Sequence, residues 1–302
     1  MEFSNIFILG AGGIGSIYGA FLSKKNDVTL IGRKAHVDAV NSKGLSISGD
    51  VNEDFRLKSD TEIHEIPERT LIILTTKAYD SAEAMRKIAD LLRKDTIILI
   101  LQNGLGNEEL VKSVAGNETV ILRGITAVAA EFLEPGTIRF WNGETIIEQN
   151  ATGERIASIF NACGLKTTLT NNITMEIWNK LVVNCVVNPL TTLFHVRNYE
   201  IASDPLKPTR RQIVKECTQV GNAEGIVFGP NLAENIDSEI LNYTNFSSMY
   251  QDIIKGKRTE IDFLNGKIVD LGKKNDILTP VNETLVNFIK FMEEKNELSG
   301  SN

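Results

Sequence analysis

Residues 177–188 read IWNKLVVNCVVN, an apolar run interrupted at four-residue steps by Lys180, Asn184 and Asn188. Four residues of α-helix turn about 400° and rise about 6 Å, so these side chains form one stripe drifting about 40° per step along a rigid rod. A lysine and two amides on a helix that is otherwise apolar cost free energy unless something polar faces them. A polar substrate lying along a cleft wall would be such a partner. In the alternative, Glu176 pairs with Lys180 across one helical turn, worth about 0.3 kcal/mol, and the asparagines bond neighbouring loops. Pro189 follows at once and is expected to end or kink the rod, because it lacks an amide donor and crowds the preceding turn.

A second polar group lies in residues 247–262, which include Ser247, Ser248, Thr259, Glu260 and Asp262. On one continuous helix Ser248 and Glu260 would lie about 18 Å apart, too far to share a small substrate. Gly256 offers a break. Thr259 and Asp262 then have the form of an N-terminal capping box, with Glu260 in the first turn of a new helix, where the dipole favours its carboxylate. The plainer alternative leaves Glu260 merely favouring that helix end and Ser248 capping the preceding helix.

Near the start, Gly10, Gly12 and Gly15 form GxGxxG directly after the apolar run 3–9. The first glycine suits a tight turn and the second lets backbone amides approach a pyrophosphate. The third lets a helix pack on the sheet, its positive N-terminus facing the phosphates, although a glycine-rich turn can also serve simply as a tight connection. A site for NAD usually ends its second strand with a carboxylate for the ribose 2′-hydroxyl, whereas here Arg33 and Lys34 follow Ile31-Gly32. The Arg33 guanidinium can hold a 2′-phosphate through two parallel hydrogen bonds, which points to NADP, with Lys34 the weaker candidate; the plainer alternative makes the two a solvated loop pair. Thr75-Thr76-Lys77 and Gln102-Asn103-Gly104 also follow apolar runs, which puts Lys77 and Asn103 at a cofactor cleft, although Asn-Gly is equally a common turn dipeptide.

Such loops need a parallel sheet to carry them. Apolar runs at 3–9, 27–31, 71–75 and 96–101 alternate with helical patterns, including one over 81–92, and predict a doubly wound parallel sheet. Short runs from 120 to 149, broken by Pro135-Gly136 and Asn142-Gly143, read as antiparallel strands extending that sheet, followed by a helix near 154–161. Beyond Thr170 strand signals nearly vanish, and helices are expected at 174–192, 208–225, 232–243, 246–255, 260–273 and 280–295. The expected architecture is α/β, with a sheet domain at 1–169, an all-helical domain at 170–302 and a loose polar tail at 298–302.

Lysine plus arginine number 32 against 39 aspartate plus glutamate, a net charge of −7, so no general attraction to nucleic acid or anionic membrane is expected. The longest clean apolar runs, such as 97–101, fall far short of the ~20 residues a bilayer span needs. Residues 1–9 lack the basic start and cleavage site of a signal peptide, and a cytoplasmic protein is expected. Cys163, Cys185 and Cys217 show no CxxC spacing and are read as reduced, buried thiols. His36, His64 and His195 share no spacing that would suggest a metal cluster, and no metal is expected.

Together, GAGGIG at 10–15, QNGLG at 102–106, KLVVNCVVNPLT at 180–191 and SSMYQDIIKGKRTEID at 247–262 resemble the ketopantoate reductase family over nearly the whole chain. The last two segments are more specific than the glycine loop, because they join a lysine and a glutamate at that family's spacing. The resemblance implies a Rossmann-like doubly wound domain followed by a helical one, with NADPH in the cleft between them. It also implies reduction of 2-dehydropantoate to pantoate for pantothenate and coenzyme A synthesis.

Carried onto matching positions, the resemblance makes Lys180 the general acid and Glu260 the second essential polar group, near the substrate hydroxyl. Asn184, Asn188, Ser248 and, more weakly, Asn245 would bind substrate. Gly10, Gly12, Gly13, Ile14, Gly15, Arg33, Lys77 and Asn103 would bind NADP or border the active site. The expected partner is a small 2-oxo acid, with a homodimer as the one macromolecular assembly to consider. The alternatives are an NADP-dependent reductase of another 2-oxo acid and, from a different class, a non-catalytic NADPH sensor, which would need the glycine loop and Arg33 but no proton donor.

Overall fold

The computed structural model describes residues 3–300. The chain divides into two compact units, residues 3–102 with 106–173, and residues 103–105 with 174–300. The second unit thus begins at Thr174 rather than at 170, and it takes in the short segment around Asn103.

The first unit carries strands β1 (Asn5–Leu9), β2 (Val28–Ile31), β3 (Leu45–Gly49), β4 (Glu53–Phe55), β5 (Lys58–Asp60) and β6 (Thr70–Leu74). Further along the chain come β7 (Ile97–Ile100), β8 (Val120–Thr126), β9 (Ala129–Glu134), β10 (Thr137–Trp141), β11 (Thr145–Glu148) and β12 (Thr167–Thr170). Its helices are α1 (Gly13–Ser23), α2 (Lys34–Lys43), α3 (Ser81–Arg86), α4 (Asn107–Ala115) and α5 (Ala151–Ala162).

Eight strands form one sheet in the order β12-β11-β8-β7-β6-β1-β2-β5, parallel throughout except for the antiparallel pair β8 and β11. Strands buried on both faces read as unbroken apolar runs, and alternate residues do go to opposite sides. Ile8, Leu30, Leu71 and Ile73 pack in one core, while Leu9, Ile31, Ile72 and Leu74 pack in the other. The chain leaves β1 through β2 in one direction and returns on its other side as β6, so the strand order reverses between β1 and β6. Ligands of such sheets sit beyond the carboxyl ends of the strands at this reversal.

Three sequence expectations need correction here. The hairpin β9–β10 does not extend the main sheet but joins β3 and β4 in a separate one of order β4-β3-β10-β9, with β10 parallel to β3. The alternation of Ile138 and Phe140 reports which side of the strand is buried, as both are, and carries no information on the pairing partner. The helix expected over 81–92 stops at Arg86, and a 3₁₀ turn at Ala89–Leu91 replaces its second half. The Ile88 amide donates to Met85 three residues back, a tighter turn that leaves both side chains buried. The short strand β12, parallel to β11, is absent from the expected set.

The second unit is helical among the described residues: α6 (Ile173–Phe194), α7 (Lys207–Ala223), α8 (Leu232–Ile240), α9 (Ser248–Ile254), α10 (Asn265–Lys274) and α11 (Pro280–Gly300). Helix α6 is its axle, with every residue from Leu181 to Thr192 buried. Around it pack Ile213 and Val220 of α7, Ile236 and Ile240 of α8, Ile268 of α10 and Leu285 of α11. Pro189 does not end α6, which runs on to Phe194. The tail expected at 298–302 is also corrected in part: α11 continues through Gly300, and residues 301–302 lie outside the described residues. Among the described residues no helix is long and apolar enough to cross a membrane.

Candidate functional site

In the first unit the glycine turn joins the end of β1 to α1. Gly10 has φ +114°, and a Cβ there would overlap the Thr76 backbone; at Gly15 it would overlap the Gly10 carbonyl and sit 2.6 Å from Thr75 Oγ1. Both positions are closed by the neighbouring chain, whereas a Cβ at Gly12 would meet nothing within 4 Å. Gly12 is the N-cap of α1, with no side chain capping the helix. The first amides of α1, on Gly13 and Ile14, therefore stand at a helix N-terminus with open space beside Gly12, which suits an anionic pyrophosphate, while Ala130 closes the Gly13 side.

The strand ends beside this turn are tied together. Thr75 Oγ1 donates to the Gly10 carbonyl at 2.9 Å, and Gln102 Nε2 donates to the Thr76 carbonyl at 2.6 Å. Lys77 is half-buried and precedes a 3₁₀ turn at Ala78–Asp80. Arg33 is the N-cap residue of α2, its side chain 83% exposed and its guanidinium 4.0 Å from Asp80, so it can turn toward a phosphate at little cost. Lys34 is instead paired with Asp38 one turn along at 3.0 Å.

Three residues past Arg33, His36 is buried between two elements: its Nδ1 accepts from the Gly136 amide at 3.0 Å, so its Nε2–H donates to Ser16 Oγ, also 3.0 Å away. Burial lowers its pKa below the ordinary 6.5.

In the second unit Lys180, Asn184 and Asn188 lie on the unbroken helix α6, so the stripe read from their spacing exists. Lys180 is half-buried and, among the described residues, makes no hydrogen bond or ion pair. The Glu176 pair of the plainer alternative is not formed. Burial lowers the pKa of Lys180 from 10.5, and the carboxylate of Glu239 on α8 partly offsets this. Asn184 and Asn188 are buried, and among the described residues Asn184 Nδ2 has no hydrogen-bond partner.

Ser248 is the first residue of α9 and is exposed, while the cap is its neighbour Ser247, whose hydroxyl accepts from the Tyr250 amide at 3.1 Å. Asn245 is half-buried, and its carbonyl accepts from the Asn198 amide at 3.1 Å. The capping-box expectation holds by half: Thr259 Oγ1 accepts from the Ile261 amide at 3.2 Å, but Asp262 is drawn away to Arg258 and Lys290, at 3.2 and 2.6 Å. A 3₁₀ turn at Ile261–Phe263 therefore follows Glu260, and the α-helix starts only at Asn265. Glu260 itself is buried. Asn103 belongs to this unit, where Gly104 at φ +83° lets Leu105 donate its amide to the Phe263 carbonyl at 3.4 Å.

Glu239 is absent from the sequence reading, and Thr191, part of the segment 180–191, is given no role there, although its hydroxyl meets that of Ser247 at 2.8 Å. Glu239 is an exposed acidic residue 59 positions from the lysine it faces electrostatically, and no local pattern marks such a pair.

The pattern described as "Ketopantoate reductase PanE/ApbA" matches residues 6–152, and that of the same family's C-terminal domain matches residues 172–293. A 2-dehydropantoate 2-reductase of Pyrococcus horikoshii is 39% identical over 299 residues, covering 95% of this chain and 97% of that protein. The chain belongs to the ketopantoate reductase family. Among solved structures, a PanE/ApbA family ketopantoate reductase of Ralstonia eutropha superposes with a TM-score of 0.90 at 29% identity, covering 97% of this chain and 99% of that one. A D-mandelate dehydrogenase, solved with NADH and anilino(oxo)acetate, gives the same TM-score, identity and coverage. The fold is thus the family's, a Rossmann-like domain with a helical one.

Proposed function

We propose that this member of the family reduces 2-dehydropantoate to pantoate with NADPH, in the cytoplasm, as a step toward pantothenate and coenzyme A. The observation that carries the reading is a half-buried Lys180, its charge penalised by burial, one helical turn from a buried Asn184 whose Nδ2 has no hydrogen-bond partner among the described residues. Such groups are costly in an apolar core and are kept where a polar ligand satisfies them. Bound NADPH would supply a hydride to the ketone carbon.

As charge builds on the ketone oxygen, Lys180 Nζ donates a hydrogen bond and then its proton. The Asn184 and Asn188 amides, with the Ser248 hydroxyl and Asn245, hold the carboxylate and hydroxyl ends. The Glu260 carboxylate accepts from the substrate hydroxyl. On the cofactor side, the amides at Gly13 and Ile14 would hold the pyrophosphate, Gly12 would leave it room while Gly10 and Gly15 keep the turn and the helix packed close, Arg33 would take the 2′-phosphate, and Lys77 and Asn103 would contribute to cofactor binding.

The D-mandelate dehydrogenase relative keeps a second reading in view, a reductase of another 2-oxo acid. NADPH oxidation followed with 2-dehydropantoate, 2-oxobutyrate and an aromatic 2-oxo acid separates the two. The first should give the highest kcat/KM, and a higher value for another oxo acid would transfer the assignment to it.

A further inference from the structure

Pro189 lies inside α6 and has no amide hydrogen, so the Cys185 carbonyl four residues earlier loses its helical donor in the middle of a buried segment. That carbonyl lies between Asn184 and Asn188 on the polypeptide. A fully buried side chain from another helix reaches it: Asn265, the first residue of α10, donates from Nδ2 to the Cys185 carbonyl at 3.0 Å.

The same Nδ2 donates its other hydrogen to Asn282 Oδ1 at 2.9 Å, and Asn282 Nδ2 donates to Glu216 Oε2 at 2.7 Å. Glu216 is buried and also accepts from the Val281 and Asn282 amides at the start of α11, at 3.1 and 3.0 Å. The carboxylate accepts only, which fixes the orientation of the Asn282 amide and, through it, that of Asn265. Its nitrogen therefore points at α6.

We propose that Asn265 is a positioning residue for the substrate-binding face of α6, its side-chain amide standing in for the backbone donor that Pro189 cannot supply and so fixing the turn that carries Asn184 and Asn188. The inference rests on the assignment of those two asparagines to substrate binding. It accounts for a proline in a stretch buried without interruption from Leu181 to Thr192, where a missing backbone donor would otherwise leave a carbonyl unpaired. A proline here leaves one carbonyl open to a neighbouring helix, and the chain Glu216–Asn282–Asn265 locks that opening from α7, α11 and α10.

The test compares four full-length proteins, the native chain, Asn265→Ala, Pro189→Ala and the double variant, by KM and kcat for 2-dehydropantoate and by Tm. Asn265→Ala should raise KM about tenfold with kcat within about threefold, since a buried carbonyl is left unpaired beside the binding face. In the Pro189→Ala background residue 189 donates to Cys185 itself, and the same substitution should raise KM less than about twofold. An equal rise in both backgrounds overturns the proposal, as does a loss of Tm without any change in KM.

If Asn265→Ala fails to fold, the soluble yield of the double variant decides: recovery supports the substitution of donors and no recovery refutes it. If the native chain does not reduce 2-dehydropantoate, the functional reading fails, while the coupling of positions 189 and 265 is still read from the four Tm values.

Discussion

The hydroxyls of Thr191 and Ser247 lie 2.8 Å apart in the buried interior, joining the C-terminal turns of α6 to the N-cap of α9. This contact ties the residue just before Ser248 to the helix that carries Asn184 and Asn188. Thr191→Val keeps the shape and removes the bond, and should cost about 1 kcal/mol in urea unfolding while raising KM several-fold with kcat nearly constant. An unchanged KM would detach Ser248 from substrate binding.

His36 gives acid sensitivity of a predictable sign. Its folded-state pKa lies below 6.5 because burial penalises the cation, so below pH 6.5 the unfolded chain binds a proton the folded chain refuses. The stability from this group is complete above pH 6.5 and is lost as the pH falls toward the lowered folded value. Tm should therefore drop between pH 7 and 5, and less steeply in His36→Asn, whose side-chain oxygen can still accept from the Gly136 amide. Parallel Tm curves for the two proteins would remove His36 from the explanation.

Arg33 decides between the cofactors. Its exposed guanidinium stands 4.0 Å from Asp80, so Arg33→Ala should leave the fold intact and weaken NADPH by tenfold or more, on the order of a charge-assisted contact, while NADH changes little. Equal losses for the two cofactors, by fluorescence titration, would contradict a 2′-phosphate contact.

Much of this was legible in the sequence because it follows short-range rules. The run 71–75, the glycine turn and the stripe on α6 each fix their surroundings within a few residues, and the structure contains the parallel strand, the open Gly12 and the continuous helix that they imply. What was not legible is pairing at a distance. The parallel partnership of β10 with β3, the approach of Glu239 to Lys180 and the bond from Asn265 to Cys185 join positions separated by dozens of residues, and no local period encodes them. The late start of α10 has the same origin, since Lys290, on a distant helix, takes the carboxylate of Asp262 that the capping box needed.

The Lys180–Glu239 relation predicts the alkaline limb of activity. A general acid must be protonated, and burial brings the pKa of Lys180 below 10.5, so kcat/KM should fall as pH rises through that lowered value. Glu239 opposes the lowering. Glu239→Gln should move the limb to lower pH, with the shift reduced at high salt because Glu239 is exposed. A limb that stays in place would show that another group governs it.

The proton-donor role of Lys180 is tested most directly by NADPH oxidation with 2-dehydropantoate in the native chain and in Lys180→Ala, with the NADPH dissociation constant measured in parallel. The predicted result is rapid turnover by the native chain, a loss of about 10²- to 10⁴-fold in the variant, and cofactor affinity within about twofold. Turnover that survives the substitution unchanged would contradict the assignment.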